Sequence, residues 1–150
     1  MADHTINVRV VDPATCQIEY TDELGNNGHS KHVKRNKKVE WCISPDDSRT
    51  GTLEIFFTKG DGTPFGASTF SADRRHCSLP QAKVRGDAPL GSYRYRVITD
   101  RNGPNECDED PEIIIDGGFL RKVKLTLLVG AGIGVAVWAL KRLFSGEHRE

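Results

Sequence analysis

The sequence predicts a mainly β fold: an antiparallel Greek-key-type β-sandwich of about seven strands, followed by one C-terminal hydrophobic α-helix. Three observations carry this. Short apolar–polar alternations recur at roughly 8–15-residue spacing with turn residues between them, the pattern of sheet strands exposed on one face. Residues 125–140, LTLLVGAGIGVAVWAL, carry no charge. The mean hydropathy of the chain is −0.49 in spite of that run, so the part before it has a polar surface.

The elements follow in order. Ile6, Val8 and Val10 alternate with Thr5, Asn7 and Arg9, which predicts a half-buried strand ended by Asp12-Pro13. Cys16, Ile18 and Tyr20 alternate with Gln17, Glu19 and Thr21 in a second. Residues 24–30 (LGNNGHS) are turn formers. The basic run 31–38 (KHVKRNKK) leads into Val39, Trp41 and Ile43, spaced by two, as a third strand. Residues 44–51 form a loop, and Leu53, Ile55 and Phe57 mark a fourth strand. Residues 59–64 (KGDGTP) form a glycine-rich turn, with a short strand over 65–70. Residues 71–89 are the least patterned stretch, suited to a short helix or a crossing loop. Tyr93, Tyr95 and Val97 alternate with arginines in a clear strand. Residues 100–111 read as a loop, and Ile113 to Ile115 as a final strand before Asp116-Gly117-Gly118. Trp41, Phe57, Tyr93, Tyr95 and the aliphatics suffice for two inner faces. The expected division is residues 1–117 as the β-domain and 118–150 as linker, a single membrane helix over about 120–144 and a short charged tail.

Residues 34–43 (KRNKKVEWCI), 53–65 (LEIFFTKGDGTPF), 91–97 (GSYRYRV) and 110–116 (DPEIIID) together resemble a cupredoxin-like β-sandwich. A V-x-W strand follows a basic or glycine turn, and a G-x-Y-x-Y-x-V strand comes late. The resemblance spans residues 5–117, and its motifs also suit an immunoglobulin-like sandwich. What it implies is the fold and, in the cupredoxin case, a copper site. A type 1 copper site takes two His and a Cys, usually with an axial Met. The only methionine is Met1, and no histidine follows Cys107 until His148. The copper ligands are therefore not expected, nor is any cofactor.

The apolar run rises about 1.5 Å per residue as a helix. That makes it short for a hydrocarbon layer of about 30 Å, which ~17–25 apolar residues normally cross. Lys122 and Lys124 before it, and Lys141 and Arg142 after it, extend its reach to the headgroups, and Trp138 suits the interface. Gly130 with Gly134, and Gly132 with Ala136, give small-xxx-small spacing that lets helices pack closely in lipid, so self-association is expected there.

Charge and composition narrow the function. The net charge is zero, with 21 basic and 21 acidic side chains, so no global field draws the chain to nucleic acid. The charges are nonetheless segregated, basic in residues 31–38 and acidic in residues 106–112. Lys31, Lys34, Arg35, Lys37 and Lys38 form a candidate patch for an anionic partner, weighed against a solvated edge whose charges discourage aggregation. No specific nucleic-acid mode is indicated, because no aromatics interleave with the lysines. Asp108, Glu109 and Asp110 lack a regular ligand spacing. His76 and Cys77, adjacent on an extended chain, point apart rather than forming a nucleophile and base. No phosphate loop, G-x-S-x-G or H-E-x-x-H occurs, and no catalytic residue is expected. The first eleven residues lack a leader pattern, so the expectation is a single-pass membrane protein with its N-terminal domain in the cytoplasm. Cytoplasmic residence predicts free thiols at Cys16, Cys42, Cys77 and Cys107. Export would instead permit two disulfides, with three connectivities.

The leading expectation is a non-enzymatic, membrane-anchored sandwich that contacts membrane lipid and holds an unidentified protein partner there. One alternative is a membrane-perturbing effector of a bacterial immunity or toxin system whose glycine-rich helix oligomerises in the bilayer. The other is a soluble oligomer assembled through its C-terminal helix.

Overall fold

In the computed structural model, which describes residues 1–58 and 62–117, the alternating stretches become ten β-strands. They are β1 (His4–Asp12), β2 (Gln17–Asp22), β3 (Ser30–Lys34), β4 (Lys38–Ile43), β5 (Thr52–Phe57), β6 (Thr69–Asp73), β7 (Ala82–Lys83), β8 (Gly91–Thr99), β9 (Cys107–Glu109) and β10 (Glu112–Asp116). One sheet has the order β2-β1-β4-β7. The other runs β3-β10-β8-β5-β6, with β9 alongside β8.

The mainly β expectation holds, with two revisions. More strands form than seven, because three short ones lie where periodicity was weak. β3 occupies the basic run, with Val33 its only apolar residue, β7 the unpatterned stretch and β9 the acidic loop; pairing with a neighbour defines strands in which no apolar alternation shows. The sheets are also mixed rather than purely antiparallel. β1 pairs parallel to β4 (His4 with Val39 through Val8 with Ile43), and β10 pairs parallel to β3 (Glu112 with Ser30 through Asp116 with Lys34). The reason is the crossing between sheets. Consecutive strands in one sheet reverse, but a chain that leaves the sheet and returns can lie parallel to an earlier neighbour.

The inward sides of both sheets share one core. Ile6, Val8, Val39 and Trp41 from the first sheet join Leu53, Ile55, Phe70, Tyr95, Val97 and Ile113 from the second. Trp41, fully buried, lies 5.5 Å from Phe70 and 5.6 Å from Tyr95 between ring centroids, and its Nε1 donates to Tyr95 Oη at 3.2 Å. The most polar atom of the largest core residue is thereby satisfied across the inter-sheet gap.

All four cysteines are paired. Cys16 bonds Cys107 and Cys42 bonds Cys77, with Cα separations of 5.3 and 4.4 Å, inside the range a disulfide spans. The free thiols expected for a cytoplasmic domain are thus not found; one of the three connectivities is realised.

Among the described residues no helix is long and apolar enough to cross a membrane. The expected helix over 120–144 lies outside the described residues. So do its packing positions Gly130, Gly132, Gly134 and Ala136 and its interface positions Lys122, Lys124, Trp138, Lys141 and Arg142.

Candidate binding face

The basic run does not stay together. Lys31, on β3, turns onto the protein: its Nζ lies 2.9 Å from Asp22 and 3.4 Å from Glu23, and its side chain is 12% exposed. The same lysine and the amides of Leu24 and Asn26 stabilise the Asp22 carboxylate. Burial alone would raise that carboxyl's pKa, but these donors outweigh it and hold the group at about 2. Lys31 therefore leaves the candidate patch.

Lys34, Arg35, Lys37 and Lys38 remain, around the turn that carries the chain from β3 in one sheet to β4 in the other. The backbone of this turn is tied down. Asn36, at its apex with φ 65°, donates its amide to Val84 O at 2.9 Å, and Val84 N donates to Lys37 O at 2.9 Å. Asparagine tolerates this left-handed conformation better than most side chains. Arg35 Nε donates to Ala88 O at 2.8 Å. The hydrogen bonds hold the stretch from Val84 to Ala88 against the basic turn, and with it come two cations that the run itself does not contain.

Those cations are Lys83 and Arg85, both exposed. Lys83 stands directly opposite Lys38 in the antiparallel β4–β7 pair, so both side chains project from one face. Neither has a carboxylate within ion-pair distance among the described residues. Arg85 donates to Thr63 O at 3.1 Å and lies 3.9 Å from Asp87. Asn36, Gly66, Gln81, Lys83, Arg85 and Gly86 line part of an open groove of about 570 Å³ beside the turn. A Cβ at Gly86 would meet Asn36 Oδ1 at 3.2 Å, so the loop lies close against the turn. Lys34 projects from the outside of the second sheet and Lys38 and Lys83 from the outside of the first, so the six cations share an end of the domain; the carboxylates there are Asp3, which holds Lys37 at 3.3 Å, with Asp87 and Asp116. Its chemistry is that of a cationic, hydrogen-bond-donating surface.

The other expected chemistry is engaged elsewhere. Cys77 is in a disulfide, and His76 Nδ1 faces Asp73 Oδ1 at 3.2 Å. Glu40, Cys42 and Cys77 are close enough together for metal ligation, but both sulfurs are bonded to each other and Glu40 accepts from Thr5 Oγ1 at 2.9 Å. Asp108 pairs with Arg96, and Glu112 accepts from Ser30 Oγ at 2.7 Å and Ser92 Oγ at 2.5 Å. A concavity of about 310 Å³ over Glu40, His76 and Leu79, and another of about 610 Å³ over Glu19, Tyr20 and His29, gather no comparable charge.

Sequence reasoning found Lys34, Arg35, Lys37 and Lys38 and missed Lys83 and Arg85. The only local hint for those two was the Lys-x-Arg spacing in the unpatterned stretch. No protein-family model and no curated protein matches the chain.

Proposed function

We propose that the chain is a non-enzymatic, membrane-anchored β-sandwich of cupredoxin-like or immunoglobulin-like type, without copper ligands, that presents a binding face beside the bilayer. The observation that carries this reading is the position of β10. The strand that precedes the apolar run is not a frayed terminus. It lies inside the second sheet, paired with β3 on one side and β8 on the other. Ile113 and Ile115 are buried in the core, so a tail fixed in lipid is coupled to the body of the domain. The two disulfides favour an oxidising compartment for the domain, the exported alternative rather than the cytoplasmic one. Self-association through Gly130, Gly132, Gly134 and Ala136 adds valency to the face without new contacts on the domain.

The test is fractionation of the full chain and of a version ending at Gly117, with alkaline carbonate extraction. The full chain is expected to stay with the membrane and the shorter version to be released. Release of both would overturn the anchoring reading and favour the soluble oligomer.

A further inference from the structure

The parallel pairing of β3 and β10 has a spatial consequence. Parallel strands end on the same side, and Asp116 is in register with Lys34. Neighbouring strands lie about 4.8 Å apart. The chain therefore leaves the domain beside the point where the basic turn begins, and His32 Nδ1 marks the junction at 2.8 Å from Asp116. The start of β8 is at this end as well, since Gly91 pairs with Ile115, and so are Leu90, 39% exposed, and the loop carrying Arg85. From Gly117 to Leu125 there are eight residues, which span at most about 28 Å fully extended. Three of those residues, Arg121, Lys122 and Lys124, are themselves basic.

We propose that this exit end rests on anionic phospholipid headgroups, with Lys34, Arg35, Lys37, Lys38, Lys83 and Arg85 as the contacting cations. The proposal rests on the anchoring reading above and names the partner of that face. Lipid fits better than nucleic acid on three counts. The cations lie on both sheets at the end where the chain leaves the domain, with Lys34 beside the exit, rather than lining a track. Among the described residues no exposed aromatic side chain stands with them to stack a base. An exposed leucine lies beside them, as suits a headgroup boundary. The Lys38–Lys83 juxtaposition is unfavourable in water and is relieved when a phosphate lies between the two ammonium groups. Each basic side chain near an anionic surface strengthens binding about fivefold, and salt weakens it.

The experiment uses the full chain in nanodiscs of phosphatidylcholine alone or with phosphatidylglycerol. Lysines are labelled with a water-soluble acylating reagent and read by mass spectrometry. Labelling of Lys34, Lys38 and Lys83 should slow about fivefold or more in the anionic discs and recover at high salt. In K34E/K83E, Lys38 should label alike in both discs, whereas K34R/K83R should keep its protection; melting temperatures no lower than that of the native chain show that both variants are folded. Equal labelling of the native chain in the two discs overturns the proposal. If carbonate releases the full chain, the anchoring reading fails, and sedimentation of that same chain with vesicles of the two compositions decides the present inference. Salt-sensitive binding to the anionic vesicles alone upholds it, and no binding overturns it. Tighter binding of a labelled DNA duplex than of anionic vesicles at the same salt, abolished in K34E/K83E, also overturns it, in favour of nucleic acid.

Discussion

The two ends of the β-domain are held together in different ways. At the end remote from the chain exit, the β1–β2 turn is bonded to the start of β9 through Cys16–Cys107, and Asp47 gathers the loop after β4. Its carboxylate accepts from the amides of Val10, Arg49 and Thr50, each at 2.9 Å, and from Thr50 Oγ1 at 2.6 Å. Burial would raise its pKa, but those donors prevail and keep it at about 2. Asp100 Oδ1 closes the adjoining turn by accepting from Gly51 and Thr52 at 2.8 and 3.1 Å. At the exit end the backbone is equally well bonded and Arg35, Lys37 and Arg85 have partners, but Lys38 and Lys83 face each other as like charges, and cations outnumber carboxylates. One end spends its polar groups on the fold, and the other leaves them for a partner. Charge repulsion is tolerated where something outside the domain relieves it.

The comparison predicts a gradient of effects. The largest is expected from Cys16→Ser with Cys107→Ser. These residues are 91 apart in sequence, and the chain-entropy account of so long a loop predicts a loss of about 4–5 kcal/mol in urea unfolding. An equal loss from reversing charges at the exit end would break the comparison. Asp47→Ala should cost about 3 kcal/mol, because it strands three amides and a hydroxyl that pairing had satisfied. A thermal or urea melt measures it, with Asp87→Ala, an exposed carboxylate at the exit end, expected within about 0.5 kcal/mol of the native chain.

Acid comes next. Asp22 and Asp47 have folded pKa values of about 2 against an ordinary 3.8. A depressed carboxylate pKa means that the unfolded chain takes up the proton first as pH falls. Their contribution is complete above about pH 4 and gone below about pH 2; near pH 3 the loss is about 1 kcal/mol from each. A melting temperature constant across that window would remove both carboxylates from the account. The smallest effect has the opposite sign. Lys83→Glu places a carboxylate opposite Lys38 and should stabilise the domain by about 0.5 kcal/mol while weakening contact with an anionic surface. If stability and surface contact rose together, the repulsive pair would have no link to binding.

Much of the architecture was legible in the residues. Strands of five or more residues with alternating faces announced themselves, as in β1, β5, β8 and β10. Trp41, Phe57, Tyr93 and Tyr95 were recognisable as core because spacing by two puts such side chains on one face. The short strands β7 and β9 were not, since two or three residues carry no periodicity. The candidate face was half legible: the run from Lys31 to Lys38 is plain in composition, but Lys31 withdraws to Asp22 and Glu23 while Lys83 and Arg85 join from 45 or more positions away.

By itself, then, the sequence determined the mainly β class, the core side chains, the segregation of charge and the apolar run after Gly117. These are local properties, set by the two-residue period of a strand and by the composition of contiguous stretches. Only the tertiary structure decided which strands run parallel, which cysteines meet and which cations share a surface. Each of those depends on chain reversals and crossings between sheets, and no single stretch of sequence encodes where a distant strand will return.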